Sequence, residues 1–258
     1  MFGRKQVATL VAEFLGTGIL TLVFLSVQRS TIGIAYFIAL AAGAAVAAAA
    51  YFFGDVSGAH LNPAITLAMW TARKISTVVG AMYVVVQLLG AWAAYGIYHY
   101  FVSTSLQPIG GHYSARVLFA EAIGALVLAL AWGAVFFKRF DGTNRALLLG
   151  GSYALAVILA AAGGVGIGVA NPAVALGIRA WDIWGSMGWG TYVLGPVLGA
   201  IIGVNLYALL FANSETYAVS ETLVVAETVA PASSRSSAKK SAAKKPAAKK
   251  TTPKSRRR

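Results

Sequence analysis

The sequence predicts an all-α membrane protein, with six transmembrane helices plus two re-entrant half-helices arranged as an inverted repeat. Three observations lead there. Hydrophobic residues make up 58% of the 258-residue chain and charged residues only 11%, where soluble domains carry about 25% charged. Six apolar stretches are each long enough for a membrane helix, which takes roughly 20 residues to cross about 30 Å of hydrocarbon. Two shorter apolar stretches are left over, and each contains the triplet Asn-Pro-Ala near its start.

The six spans run at about 7–28, 32–53, 78–102, 116–137, 146–163 and 189–211. The first is longer than the apolar region of a secretory leader, carries Glu13 and is followed by further spans. It therefore reads as a membrane helix, not a cleaved signal. The leftovers, 61–72 and 170–180, hold about ten residues each and would reach roughly 15 Å as helices, half the bilayer.

The order repeats. "AEFLGTGIL" at 12–20 is echoed by "AEAIGALVL" at 120–128, and "LLGAW" at 88–92 by "VLGAI" at 197–201. From Glu13 to Asn62 is 49 residues, and from Glu121 to Asn171 is 50. Each half, 7–102 and 116–211, reads as span, span, half-helix, span. Three crossings is an odd number, so the second half sits upside down relative to the first, as in the inverted repeats of many transporters. Gly195, Gly199 and Gly203 recur every four residues in the last span, a spacing that lets membrane helices approach closely.

The chain divides into a helical domain, 1–211, and a tail, 212–258. The net charge of +13 belongs to the tail. Residues 228–258 hold eleven Lys/Arg and no acid, leaving ten Lys/Arg against eight Asp/Glu in the rest. "SSAKKSAAKKPAAKKTTPKSRRR" has no aromatic or branched apolar residue, so it is expected to be disordered. Beside a membrane span it reads as a ligand of anionic lipid headgroups, at about 1 kcal/mol per Lys/Arg near the surface, in preference to nucleic acid. Arg4, Lys5, Arg73, Lys74, Lys138, Arg139, Arg145 and the tail fall on one side of the membrane, Arg29, Arg116 and Arg179 on the other. That bias places both termini in the cytoplasm.

The chain has no cysteine, so it has neither disulfides nor a thiolate metal site. His99 and His112 have no cluster of ligating residues around them, and no metal or cofactor is expected. Attention therefore falls on the triplets. Proline suits the first position of a helix, and asparagine is a good N-cap. An inverted repeat brings the starts of the two half-helices together near the midplane, each carrying roughly half a positive charge. With the Asn62 and Asn171 amides, such a site favours the oxygen of a neutral polar molecule and opposes cations. It holds no nucleophile and no acid–base pair, which argues for conduction and against catalysis.

"AEFLGTG", "SGAHLNPAIT", "QLLGAW", the second "ANPA" and "GPVLGAIIG" together resemble the major intrinsic protein family, the aquaporins and aquaglyceroporins, over residues 7–211. The resemblance implies a pore in every subunit of a homotetramer embedded in membrane lipid. Its midplane would be formed by Asn62, Pro63 and Ala64 with Asn171, Pro172 and Ala173. Glu13 and Glu121 would accept hydrogen bonds from the irregular backbone before each half-helix, and His60 would be a packed supporting residue.

The family's pattern has arginine directly after the second triplet. This chain has Val174 there, and Arg179 lies about 140° further round a helix at 100° per residue. Carried over by position, the selectivity ring becomes Ala42, Leu159, Gly168 and Val174, all apolar or small. A ring of this kind is expected to be wide and to pass small neutral solutes of the glycerol, urea and ammonia class, with water to some extent. The alternative is a membrane scaffold or junction protein of the same fold with a closed pore.

Overall fold

The computed structural model describes residues 3–28, 34–103, 113–164, 167–183 and 188–212. Arg29, His112 and the tail from residue 213 onward lie outside them. The described residues form eight α-helices: α1 Arg4–Gln28, α2 Ala35–Ser57, α3 Pro63–Thr71, α4 Thr77–Val102, α5 Ala115–Lys138, α6 Gly142–Ala161, α7 Pro172–Gly177 and α8 Gly195–Phe211. A π-helical turn, Trp189–Leu194, leads into α8 and completes a 23-residue span. Pro196 has no N–H to give the carbonyl four residues back, and the helix is loosely wound just before it.

Six of these helices are long and apolar enough to cross a membrane. Several run past the expected limits, α1 starting at Arg4 instead of residue 7. Hydropathy marks the part of a helix inside the hydrocarbon, while the helix itself continues into polar chain. The half-helices are shorter than expected, nine residues for α3 and six for α7. Both end alike. Arg73 and Arg179 adopt left-handed backbone, with φ of 56° and 61°. Their N–H groups bond Trp70 O and Leu176 O, and the next N–H groups reach Met69 O and Ala175 O. This is the paired closure of a Schellman motif, which fixes Arg179 at the end of α7, far from Val174 near its start.

The packing follows the repeat. In the first half α1 lies on α2 and α4, and in the second α5 lies on α6 and α8. α2 and α6 pack on each other between the halves, and each half-helix lies against the last span of the opposite half, α3 on α8 and α7 on α4. Exchanging the halves maps this set onto itself. Each of α4, α5 and α6 starts on a side-chain cap, from Ser76, Ser114 and Asp141. Hydrogen bonds from the Asn144 backbone and side-chain amides hold the exposed Asp141 carboxyl below the usual carboxylate range.

α2 and α6 meet backbone to backbone. A Cβ built on Gly43 would lie 2.7 Å from Gly150 O, and one on Gly150 would lie 2.5 Å from Gly43 O. Gly151 has open space where its Cβ would be. Gly150→Ala is therefore expected to lower the thermal midpoint in detergent, at a cost of about 1–3 kcal/mol for overpacking. Gly151→Ala should leave it unchanged or raise it, and equal behaviour of the two would refute this account of the crossing. The Gly195, Gly199 and Gly203 stripe similarly lets α8 lie on the carbonyls of Leu118, Ala122 and Leu126 in α5.

Candidate functional site

The site is built from two short stretches of irregular chain, each ahead of a half-helix. The residues immediately before the two asparagines, Leu61 and Ala170, both have φ of 51°. Left-handed backbone at a residue with a side chain costs of order 1–3 kcal/mol, so something must hold it. The buried glutamates do. Glu13 Oε1 accepts from His60 N at 2.9 Å and Oε2 from Leu61 N at 2.7 Å. Glu121 Oε1 accepts from Val169 N at 2.9 Å and Oε2 from Ala170 N at 2.6 Å.

With the chain turned in this way, each asparagine serves both halves. Asn62 Oδ1 accepts from Ala64 N at 2.9 Å, and Asn171 Oδ1 from Ala173 N at 3.0 Å and more weakly from Val174 N at 3.4 Å. Each side-chain oxygen thus caps its own half-helix. Each amide nitrogen crosses over, Asn62 Nδ2 donating to Ala170 O and Asn171 Nδ2 to Leu61 O, both at 2.9 Å. The two triplets are thereby joined start to start. Every Nδ2 keeps a second N–H beyond the one engaged in the crossing bond.

The halves differ around the carboxylates. Glu13 also accepts from Ser57 Oγ at 2.6 Å and from Gln87 Nε2 at 2.8 Å. Gln87 Nε2 reaches Thr66 Oγ1 at 2.9 Å, and Thr66 Oγ1 lies 3.2 Å from His60 Nδ1. His60 is thus a buried, hydrogen-bonded residue packed edge-on against Tyr83. Beside it a cavity of about 310 Å³, lined among others by Met69, Trp132, Phe136, Arg139 and Arg145, reaches in to the ring. The Arg145 guanidinium lies over Gly54 and pairs with Asp55 at 2.8 Å.

The family model described as Major intrinsic protein matches residues 3–207. The chain belongs to the major intrinsic protein family. It is 31% identical to "Probable aquaporin PIP2-7" of Oryza sativa subsp. japonica, over 82% of this chain and 81% of that one. It is 29% identical to "Aquaporin AqpM" of Methanothermobacter thermautotrophicus, over 67% and 76%, and 30% identical to "Aquaporin-10" of Homo sapiens, over 78% and 80%. Among solved structures it resembles the aquaglyceroporin from Plasmodium falciparum, with a TM-score of 0.63, 24% identity and coverage of 80% of this chain and 96% of that one. At that identity the likeness establishes the fold. As a major intrinsic protein the chain is a membrane channel for water and small solutes, not an enzyme.

Within this family fold, the four positions carried over for the selectivity ring are placed unequally. Ala42 and Val174 are fully buried, presenting no surface to a water-sized sphere. Open space of the expected wide ring is therefore not found at these two residues. Gly168 abuts α6, where an added Cβ would run into Val157 O, Ala161 N and, at 2.6 Å, Ala160 Cβ. It can contribute backbone to a lumen but no side chain. Leu159 is half-buried on α6, about 200° round the helix from Val157 at 100° per residue. The structure brings the Val157 side of α6 to the Gly168 loop, not the Leu159 side. Counting back from Asn171 loses the phase of α6 because the helix ends at Ala161, while the Gly43–Gly150 crossing preserves it.

Three buried residues of the site escape the sequence reading. Gln87 stands within the "QLLGAW" motif, and a lone amide in an apolar span was the available signal. Thr66 gave none. Tyr153, fully buried with its hydroxyl donating to Val169 O at 3.0 Å, looks in sequence like any aromatic of a membrane helix.

Proposed function

We propose that this major intrinsic protein is a passive channel for small neutral solutes of the glycerol, urea and ammonia class, and for water. The pore of each subunit runs past the joined triplets Asn62-Pro63-Ala64 and Asn171-Pro172-Ala173. The observation that carries the reading is the reciprocal pair of bonds from each asparagine amide to the backbone before the other triplet. It sets two helix starts, with their partial positive charges, against one another at a break in helical backbone. Such a break is tolerated at membrane depth only where it is buried in protein or lines a watery path.

Val174 in place of arginine removes a fixed positive charge and five hydrogen-bond donors from the outer side of the triplets. The wall there favours a partly apolar solute over water. Channels of this family generally form tetramers, and four such pores in a homotetramer is the assembly proposed here. Both termini lie in the cytoplasm, following the distribution of Lys and Arg. The basic tail binds anionic lipid headgroups, so its removal should weaken binding of the protein to vesicles rich in phosphatidylserine at low salt.

A second reading is favoured by one observation, the burial of Ala42 and Val174. It is the closed-pore scaffold. Uptake of labelled glycerol and urea by vesicles separates the two readings. Uptake above that of empty vesicles is expected, together with faster osmotic shrinkage, and the absence of both from folded, inserted protein would leave only the scaffold.

A further inference from the structure

The two halves repeat one packing scheme, and one of the buried positions at which they differ lies beside the crossing of α2 and α6. α2 and α6 cross at Gly43 and Gly150, and three residues beyond the crossing stand Val46 and Tyr153, each 1% exposed. Exchange of the halves superposes the two places, so a phenol ring fills on one side what an isopropyl group fills on the other. The Tyr153 hydroxyl donates to Val169 O, the carbonyl two residues before Asn171. Its counterpart, the carbonyl of His60, receives no hydrogen bond among the described residues. On the His60 side a cavity of about 310 Å³ reaches the approach to the triplets, and on the Val169 side the buried Tyr153 side chain lies against that approach.

We propose that Tyr153 is the residue that sets the bore of the channel. The proposal rests on the channel reading. Its ring stands one helical turn from Val157 in the interior, with its hydroxyl on the backbone two residues before Asn171. Its hydroxyl also engages a backbone acceptor that a passing solute would use. The solute path is therefore both narrowed and dried at this point, and an apolar constriction resists entry of water. Selectivity is moved from a charged ring at position 174 to an aromatic stop one layer deeper, built by α6.

The absence of cysteine from the chain makes the test direct. Tyr153→Cys and Leu155→Cys are each made alone, Leu155 being 46% exposed on the opposite side of α6. Each protein, reconstituted in vesicles, is treated with a small neutral methanethiosulfonate. A thiol facing lipid stays protonated and unreactive, because the thiolate is the nucleophile. One reached only by local opening of the fold also reacts more slowly than one on an aqueous path.

Y153C is expected to react at least tenfold faster than L155C, and its modification to reduce glycerol flux. Tyr153→Val is expected to raise glycerol and urea flux several-fold, while Tyr153→Phe, which keeps the ring, stays near the parent protein. Labelling of Y153C no faster than L155C, in protein that elutes as the parent does, would overturn the proposal. So would equal glycerol flux in Y153V and the parent. Fast labelling of Y153C with no flux in any variant would support the placement of Tyr153 on an aqueous path and overturn the channel reading instead.

Discussion

Glu13→Gln is expected to destabilise the protein by several kcal/mol, and by more than Glu121→Gln. The Glu13 carboxylate accepts four hydrogen bonds, from Ser57 Oγ, His60 N, Leu61 N and Gln87 Nε2. Among the described residues Glu121 accepts two, from Val169 N and Ala170 N. Glutamine turns one of the two oxygens into a donor facing donors, and each buried group left unpaired costs about 1–3 kcal/mol. The bonds at stake also hold Leu61 in left-handed backbone, so the loss should reach the first triplet. Thermal unfolding in detergent, followed by tryptophan fluorescence, compares the variants. Equal midpoints for E13Q and the parent would mean that the carboxylate does not support the turn.

Val174→Arg is expected to lower glycerol and urea flux at least about tenfold, a rise of 1.4 kcal/mol in the barrier. Val174 is fully buried, one residue past the triplet whose Asn171 side chain accepts from its N–H. A guanidinium there must occupy any lumen that exists, and its charge adds to the positive start of α7 in opposing cations. Proton leak, read with a pH-sensitive dye inside the vesicles, should fall with it. Unchanged glycerol flux in stable V174R protein would place Val174 off the solute path.

The fold was legible because its causes are written in the chain at a readable scale. Six spans follow from length and hydropathy, the inversion follows from an odd number of spans per half, and the joining of the triplets follows from their places in the repeat. The motifs that resemble the family lie within the residues that its model matches. The lateral details of the site were less legible. Leu159 comes from a count of twelve positions back from Asn171, and helical phase is not carried past the end of α6 at Ala161, so the α6 residues packed against Gly168 are Val157, Ala160 and Ala161. Ala42, Leu159, Gly168 and Val174 together suggest a wide ring, whereas Tyr153, twenty-one positions before Val174, reaches the backbone ahead of the second triplet only through the packing of α6. The Gln87–Thr66–His60 network was hidden for a similar reason. Its members belong to α4, α3 and the loop before α3, and only packing makes them neighbours.

The central claim, that the joined triplets lie on a path for neutral solutes, is tested most directly by stopped-flow light scattering on one vesicle preparation. The vesicles are shocked first with an impermeant sugar and then with glycerol and urea. The account predicts reswelling in glycerol and urea faster than in protein-free vesicles, with a glycerol-to-water permeability ratio that rises in Tyr153→Val and falls in Val174→Arg. Shrinkage and reswelling indistinguishable from empty vesicles, in protein shown to be inserted and folded, would contradict it.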